Sequence, residues 1–210
     1  MAFNNFGNSF QKSTPIVFNL IIINVLVFIA QTLLDGSNAQ FLYQQKITGI
    51  IALYPLGTGE FQPYQLVTHM FAHGGFAHIL FNMFALWSFG SLLERSWGPK
   101  KFLIFYLLCG LAAGFAHLLI ENNAAIGASG AVMGLFAAFA YLFPNSQLLI
   151  FPIPVPVKAK YAVAGMAAID LFGGVSPTNS GIAHFAHLGG LLMGFILVII
   201  WNKTNKKTFY

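Results

Sequence analysis

Twenty consecutive residues, Pro15 to Leu34, carry no charged side chain, and five further apolar stretches follow at about 78–93, 102–120, 128–143, 160–175 and 183–201. The first matches the ~20 residues a helix needs to cross a hydrocarbon core about 30 Å thick. The others read the same way, with boundaries soft by several residues. Hydrocarbon offers an exposed backbone no hydrogen-bond partner, so such segments must be helical. Only 7% of the side chains are charged and 57% are hydrophobic, whereas a soluble domain carries about 25% charged residues. The chain is therefore read as an all-α, polytopic membrane protein of six transmembrane helices. Pro15–Leu34 exceeds the ~7–15 residues of a signal-peptide core and has no small-x-small exit, so it is taken as an uncleaved first span.

Six spans place both termini on one side. With the termini cytoplasmic, the inner segments hold Lys12, Arg95, Lys100, Lys101, Lys158, Lys160, Lys203, Lys206 and Lys207, and the outer segments only Lys46. That nine-to-one division follows the positive-inside rule. It also accounts for the net charge of +5 without a nucleic-acid partner, since the bases form no stripe. Trp97 and Trp201 fall at inner ends, as interfacial anchors do. The expected organisation is a tail (1–14), one six-helix domain (15–201) and a second tail (202–210), both tails cytoplasmic. The long outer loop 35–77 should hold short helices, and the prolines at 144, 152, 154 and 156 bar a regular helix from loop 144–159. Cys109 is the single cysteine, so no intrachain disulfide can form.

Four polar groups share one depth. Ser129 lies 14 residues before Phe143 and His187 14 residues before Trp201, each a rise of about 21 Å from the inner side. His78 and Asn82 stand about 24 and 18 Å above Glu94, and their i, i+4 spacing puts them on one face. Polar groups inside a membrane are costly and mark function by default. Gly130 with Gly134, and Gly190 with Gly194, are small-xxx-small pairs that let helices approach closely. Gly190 follows His187 by three residues, so the close-contact face also carries the histidine. Each residue alone has a plainer reading: Ser129 as a helix cap, the glycines as packing, His117 as a helix–helix hydrogen-bond partner. His184 reads equally as packing or as support for His187.

Gly127-Ala128-Ser129-Gly130 with Gly134, His78-xxx-Asn82 and Ala186-His187-x-x-Gly190 together resemble the signature set of rhomboid intramembrane serine proteases. The similarity runs from Asn24 to Gly194. It implies a six-helix rhomboid-like bundle of the small bacterial type with a long first outer loop. It implies Ser129 as nucleophile, His187 as general base, and His78, Asn82 and the Ser129 N–H as an oxyanion hole. Gly127, Gly130, Gly190, His73 and Met133 are expected in support, and His69 also matches a family histidine. Two positions depart from the family pattern: Tyr64-Gln65 replaces a frequent Trp-Arg, and Met133 replaces an aromatic that stacks on the catalytic histidine. No carboxylate is assigned to the pair, Asp170 having no matching motif, so the expected chemistry is a Ser–His dyad, a variant of the serine triad.

The expected function is hydrolysis of peptide bonds in or near transmembrane segments of single-pass or polytopic substrates, with no cofactor and no metal. The active site should open to the periplasmic or extracellular side. Loops 121–128 and 173–182 are expected to roof it, with Gly173 and Gly174 as hinges. The alternative is a rhomboid-like binder of membrane segments that cuts nothing. A histidine-ligated haem or metal centre is a further reading, which an optical spectrum would decide.

Overall fold

A computed structural model describes residues 14–35, 44–149, 155–176 and 181–204. The tail lysines Lys12, Lys206 and Lys207, and Pro152 and Pro154, lie outside the described residues. The first long helix, α1, is Pro15–Leu34. Pro15 suits its first turn because no N–H is needed there, and Glu94 Oε1 and Oε2 accept the N–H groups of Ile16 and Val17 at 3.0 and 2.9 Å. That buried carboxylate thus sits on the positive end of the helix dipole.

The first long loop holds two one-turn helices, α2 (Thr48–Ile51) and α3 (Gln65–Thr68), and a 3-10 turn at His69–Phe71, as expected. Helix α4 (Phe76–Ala85) continues through a wide π turn, Leu86–Gly90, into α5 (Ser91–Trp97), so the second span is longer at both ends than its apolar stretch. Then come α6 (Pro99–Ile120), α7 (Ser129–Leu142), a two-residue hairpin pairing β1 (Gln147–Leu148) with β2 (Val157–Lys158), α8 (Ala159–Val175) and α9 (His184–Thr204). The four stretches Pro15–Leu34, Phe76–Trp97, Pro99–Ile120 and His184–Lys203 are long and apolar enough to cross a membrane, and Ser129–Leu142 is a shorter apolar helix.

The outward surface is apolar: Phe18, Leu26, Phe81, Trp87, Phe115 and Phe195 are exposed. Phenylalanine serves the interior as well, since Phe102 and Phe105 are fully buried. At the end of the bundle away from Ser129, Trp97 meets Trp201 edge to face, with Lys101 Nζ 4.6 Å above the Trp201 ring.

The centre is built from glycine. A methyl group on Gly190 would overlap the Gly130 carbonyl, and one on Gly194 would lie 2.5 Å from the Gly134 carbonyl oxygen. The α7 and α9 backbones therefore touch along the paired glycines. On its other side Gly130 meets Ala113 and Gly134 meets Cys109, both on α6. Lipid tails are as apolar as leucine, so close van der Waals packing of this kind, rather than hydrophobic expulsion, joins membrane helices.

Gly190→Val should therefore cost at least about 1–3 kcal/mol, as overpacking does, and lower the thermal unfolding midpoint in detergent. Gly165→Val is the control, because nothing lies within 4 Å of a Cβ at Gly165. Equal midpoints for the two variants would show that the α7–α9 contact does not hold the bundle.

Candidate active site

Three backbone ties fix the segment leading to Ser129. His117 Nε2–H donates to the Asn123 carbonyl at 2.7 Å. Leu53 and Ala125 exchange both backbone hydrogen bonds at 2.9 Å. Gly127 N–H donates to the His69 carbonyl at 2.8 Å. His69 is itself held, its Nδ1–H donating to the Gln65 carbonyl at 2.8 Å. Gln65 is buried, takes the N–H groups of Gln62 and Tyr54 on Oε1, and donates Nε2–H to the Glu60 carbonyl. A glutamine thus anchors the outer loop by hydrogen bonds at the position where Trp-Arg is frequent.

Ser129 is the first residue of α7, and Ala128 occupies the capping position. The capping reading of the serine fails on that register. Its hydroxyl instead meets His187, with Nε2 2.8 Å from Oγ. His187 stands in the first turn of α9, where the glycine contact brings its backbone against α7.

His78 lies across the cavity. Its Nδ1 accepts the Gly74 N–H at 3.3 Å, which leaves the ring proton on Nε2. That edge faces Gly127, where a Cβ would lie 2.8 Å from both Cε1 and Nε2. Gly127 also has φ +124°, a conformation in which side chains are strained. Asn82, one turn along, donates Nδ2–H to the His78 carbonyl at 2.9 Å. The Ser129 N–H belongs to the first turn of α7, whose donors lack intrahelical partners. A cavity of about 870 Å³ is lined by His78, Asn82, Ser129, Met133 and His187, and by Asn123–Ile126 and Gly181–Ala183 from the loops before α7 and α9. Met133 is buried.

His73 packs edge to face on His78 at 5.0 Å between ring centroids. Its backbone is clasped by Gln31 of α1: Oε1 accepts its N–H at 3.1 Å, and Nε2 donates to its carbonyl at 3.4 Å. Burial lowers the imidazole pKa of both His69 and His73 to about 4, so both stay neutral near pH 7. Among the described residues no three His, Cys, Asp or Glu side chains are grouped to hold a metal ion.

Two features were not anticipated. Gly173 and Gly174 are not loop hinges: they lie in the last turn of α8, where a Cβ on Gly173 would meet the His184 ring at 2.5 Å and one on Gly174 the Phe185 ring at 2.8 Å. Residues 177–180 of that loop lie outside the described residues. Second, Asp170 Oδ1 stands 3.0 Å from His187 Nδ1 and 2.8 Å from His184 Nδ1. Depth was the available signal for Asp170, which lies five residues before the C-terminal end of α8 and so only about 7.5 Å from it.

A multi-pass helical membrane protein with a half-buried serine–imidazole pair lining a cavity is the class these features define. The family model described as Rhomboid domain matches residues 60–203, and the chain belongs to the rhomboid family. It is 34% identical over 149 residues to "Rhomboid protein 1, mitochondrial" of Saccharomyces cerevisiae, covering 68% of this chain and 43% of that one. It is 30% identical to "Rhomboid protease GluP" of Bacillus subtilis over 89% of this chain and 35% of that one. It is 28% identical to the "Putative rhomboid protease YdcA" of Bacillus subtilis over 96% of both chains. The chain thus spans under half the length of the first two relatives and nearly all of the third.

Gly127→Ala should destabilise the protein more than Gly181→Ala. Both glycines have positive φ, but only Gly127 has a neighbour within 4 Å of its Cβ. Strained φ costs about 1–3 kcal/mol at either site, and the His78 overlap adds to it at Gly127 alone. Equal losses in thermal unfolding would mean that His78 is not held against Gly127.

Proposed function

We propose that this chain is an intramembrane serine endopeptidase that cuts other membrane proteins in or near their transmembrane segments. The observation that carries the reading is the 2.8 Å contact between His187 Nε2 and Ser129 Oγ, in a family whose relatives include named proteases. A serine hydroxyl is a weak nucleophile until an adjacent base takes its proton.

In the proposed reaction Ser129 Oγ bonds to the scissile carbonyl carbon as its proton passes to His187 Nε2. Negative charge moves to the carbonyl oxygen. The Asn82 amide, His78 Nε2–H and the Ser129 N–H are the proposed donors to that oxyanion, in a site poor in water where fixed dipoles act strongly. Collapse breaks the C–N bond, and His187 gives its proton to the leaving amine. Water then attacks the acyl-enzyme, with His187 again taking a proton, and Ser129 is restored. An intact substrate helix hides its carbonyls in hydrogen bonds, so small or helix-breaking residues near its outer end favour cleavage.

The termini are proposed to be cytoplasmic and the site to open to the periplasmic or extracellular side, which the nine-to-one distribution of Lys and Arg supports. The proposed proteolytic domain is 15–201, flanked by the tails 1–14 and 202–210. The non-proteolytic alternative leaves the Ser129–His187 hydrogen bond without a purpose.

Reconstitution with a reporter substrate of known topology tests the proposal. Ser129→Ala or His187→Ala should abolish cleavage while the protein still folds, and Asn82→Ala should slow it by about 10–1000-fold, the worth of one oxyanion donor. Mass spectrometry of the fragments should place the cut in the outer half of the substrate span. Near-wild-type cleavage by either dyad variant would end the proposal. A cut in the cytoplasmic half would overturn the orientation.

A further inference from the structure

Asp170 and Glu94 are the carboxylates of the described spans that sit buried inside the bundle. Glu94 is accounted for by the first turn of α1. Asp170 has no helix end to serve, yet a carboxylate inside a membrane is costly and persists where it is paired and used. Its Oδ1 lies 3.0 Å from His187 Nδ1 and 2.8 Å from His184 Nδ1. We infer that Asp170, steadied by His184, is the positioning residue for the His187 imidazole, so that this chain works with a Ser129–His187–Asp170 arrangement rather than a bare dyad.

A carboxylate oxygen can only accept, so each imidazole must present Nδ1–H to it. For His187 that choice leaves the lone pair on Nε2, the atom 2.8 Å from Ser129 Oγ. The aspartate therefore selects the tautomer that can take the serine proton, aims the ring, and stabilises the imidazolium that forms. These are the roles of the third member in serine triads on unrelated folds. His184 fixes the carboxylate from one turn earlier on α9. The absence of a side chain at Gly173, one turn beyond Asp170 on α8, lets the His184 ring lie against that helix. Three helices thus meet at one hydrogen-bonded chain: α7 brings the serine, α9 the two histidines and α8 the acid. Glu121, the other acid at this end of α9, is engaged elsewhere, its Oε1 accepting the Phe185 N–H at 2.9 Å.

The inference rests on the proposed role of Ser129 and His187, and the test separates the two. Full-length protein in detergent is assayed for kcat and KM on a transmembrane substrate, and for the rate of Ser129 modification by a small fluorophosphonate. Asp170→Asn keeps the shape and removes the charge. It should lower kcat by at least about 10-fold and at most the ~10⁴-fold that the same change costs in a serine triad, slow fluorophosphonate modification in parallel, and leave KM within about twofold. A purely structural role of Asp170 in docking α8 on α9 would raise KM and leave the small-probe rate alone. That outcome, or wild-type kcat in Asp170→Asn, overturns the inference. Ser129→Ala run beside it decides the parent reading: cleavage surviving in that variant removes the dyad itself. Imidazole ¹⁵N resonances of the unmodified protein give a measurement independent of folding variants. His187 should carry its proton on Nδ1, and a proton on Nε2 in the resting protein would equally refute the role of Asp170.

Discussion

The backbones of α7 and α9 touch, and the site depends on that contact. Ser129 opens α7 and His187 lies in the first turn of α9. A side chain at Gly130, Gly134, Gly190 or Gly194 would force the helices apart through the backbone or through α6. An imidazole reaches a serine hydroxyl at 2.8 Å only because two helices approach closer than side chains normally allow. Membrane packing and proposed chemistry share one cause, since the small residues that join the helices without a hydrophobic drive also set the distance between nucleophile and base.

A second constraint is that nothing polar can be left unpaired at low cost within a bilayer. Glu94 closes the start of α1, His117 and His69 tie down the segment before Ser129, and Gln31 clasps the backbone of His73. Most of these groups touch neither cavity nor serine. They tie the loop residues that line the site to one another and to the long helices. Preorganised donors are worth most where no reorganisation is needed at the moment of reaction.

The six helices were legible because apolar length is a strong signal, and the meeting of Ser129, His187, His78 and Asn82 at one cavity because helical rise converts sequence position into depth. What depth arithmetic does not supply is rotation. Asp170 was visible as an aspartate in a span, but whether it faced lipid, α6 or His187 depended on how α8 turns about its axis. Gly173 and Gly174 looked like hinges for the same reason, a GlyGly pair near a helix end reading as flexible until its contact with His184 and Phe185 is known. The π turn at Leu86–Gly90 and the β1–β2 hairpin arise from packing and from short-range pairing that leave no periodic signature. Gln65 was seen only as a departure from a family pattern, and its role as a buried anchor came from its neighbours.

The central claim is that Ser129 is a serine made nucleophilic by His187 inside the bundle. The most direct measurement treats the wild-type protein and His187→Ala with a fluorophosphonate and maps the adduct by peptide mass spectrometry. A single adduct on Ser129 in the wild type, lost or greatly slowed in His187→Ala, is the predicted result. No adduct at Ser129, or labelling that proceeds equally without His187, would contradict it.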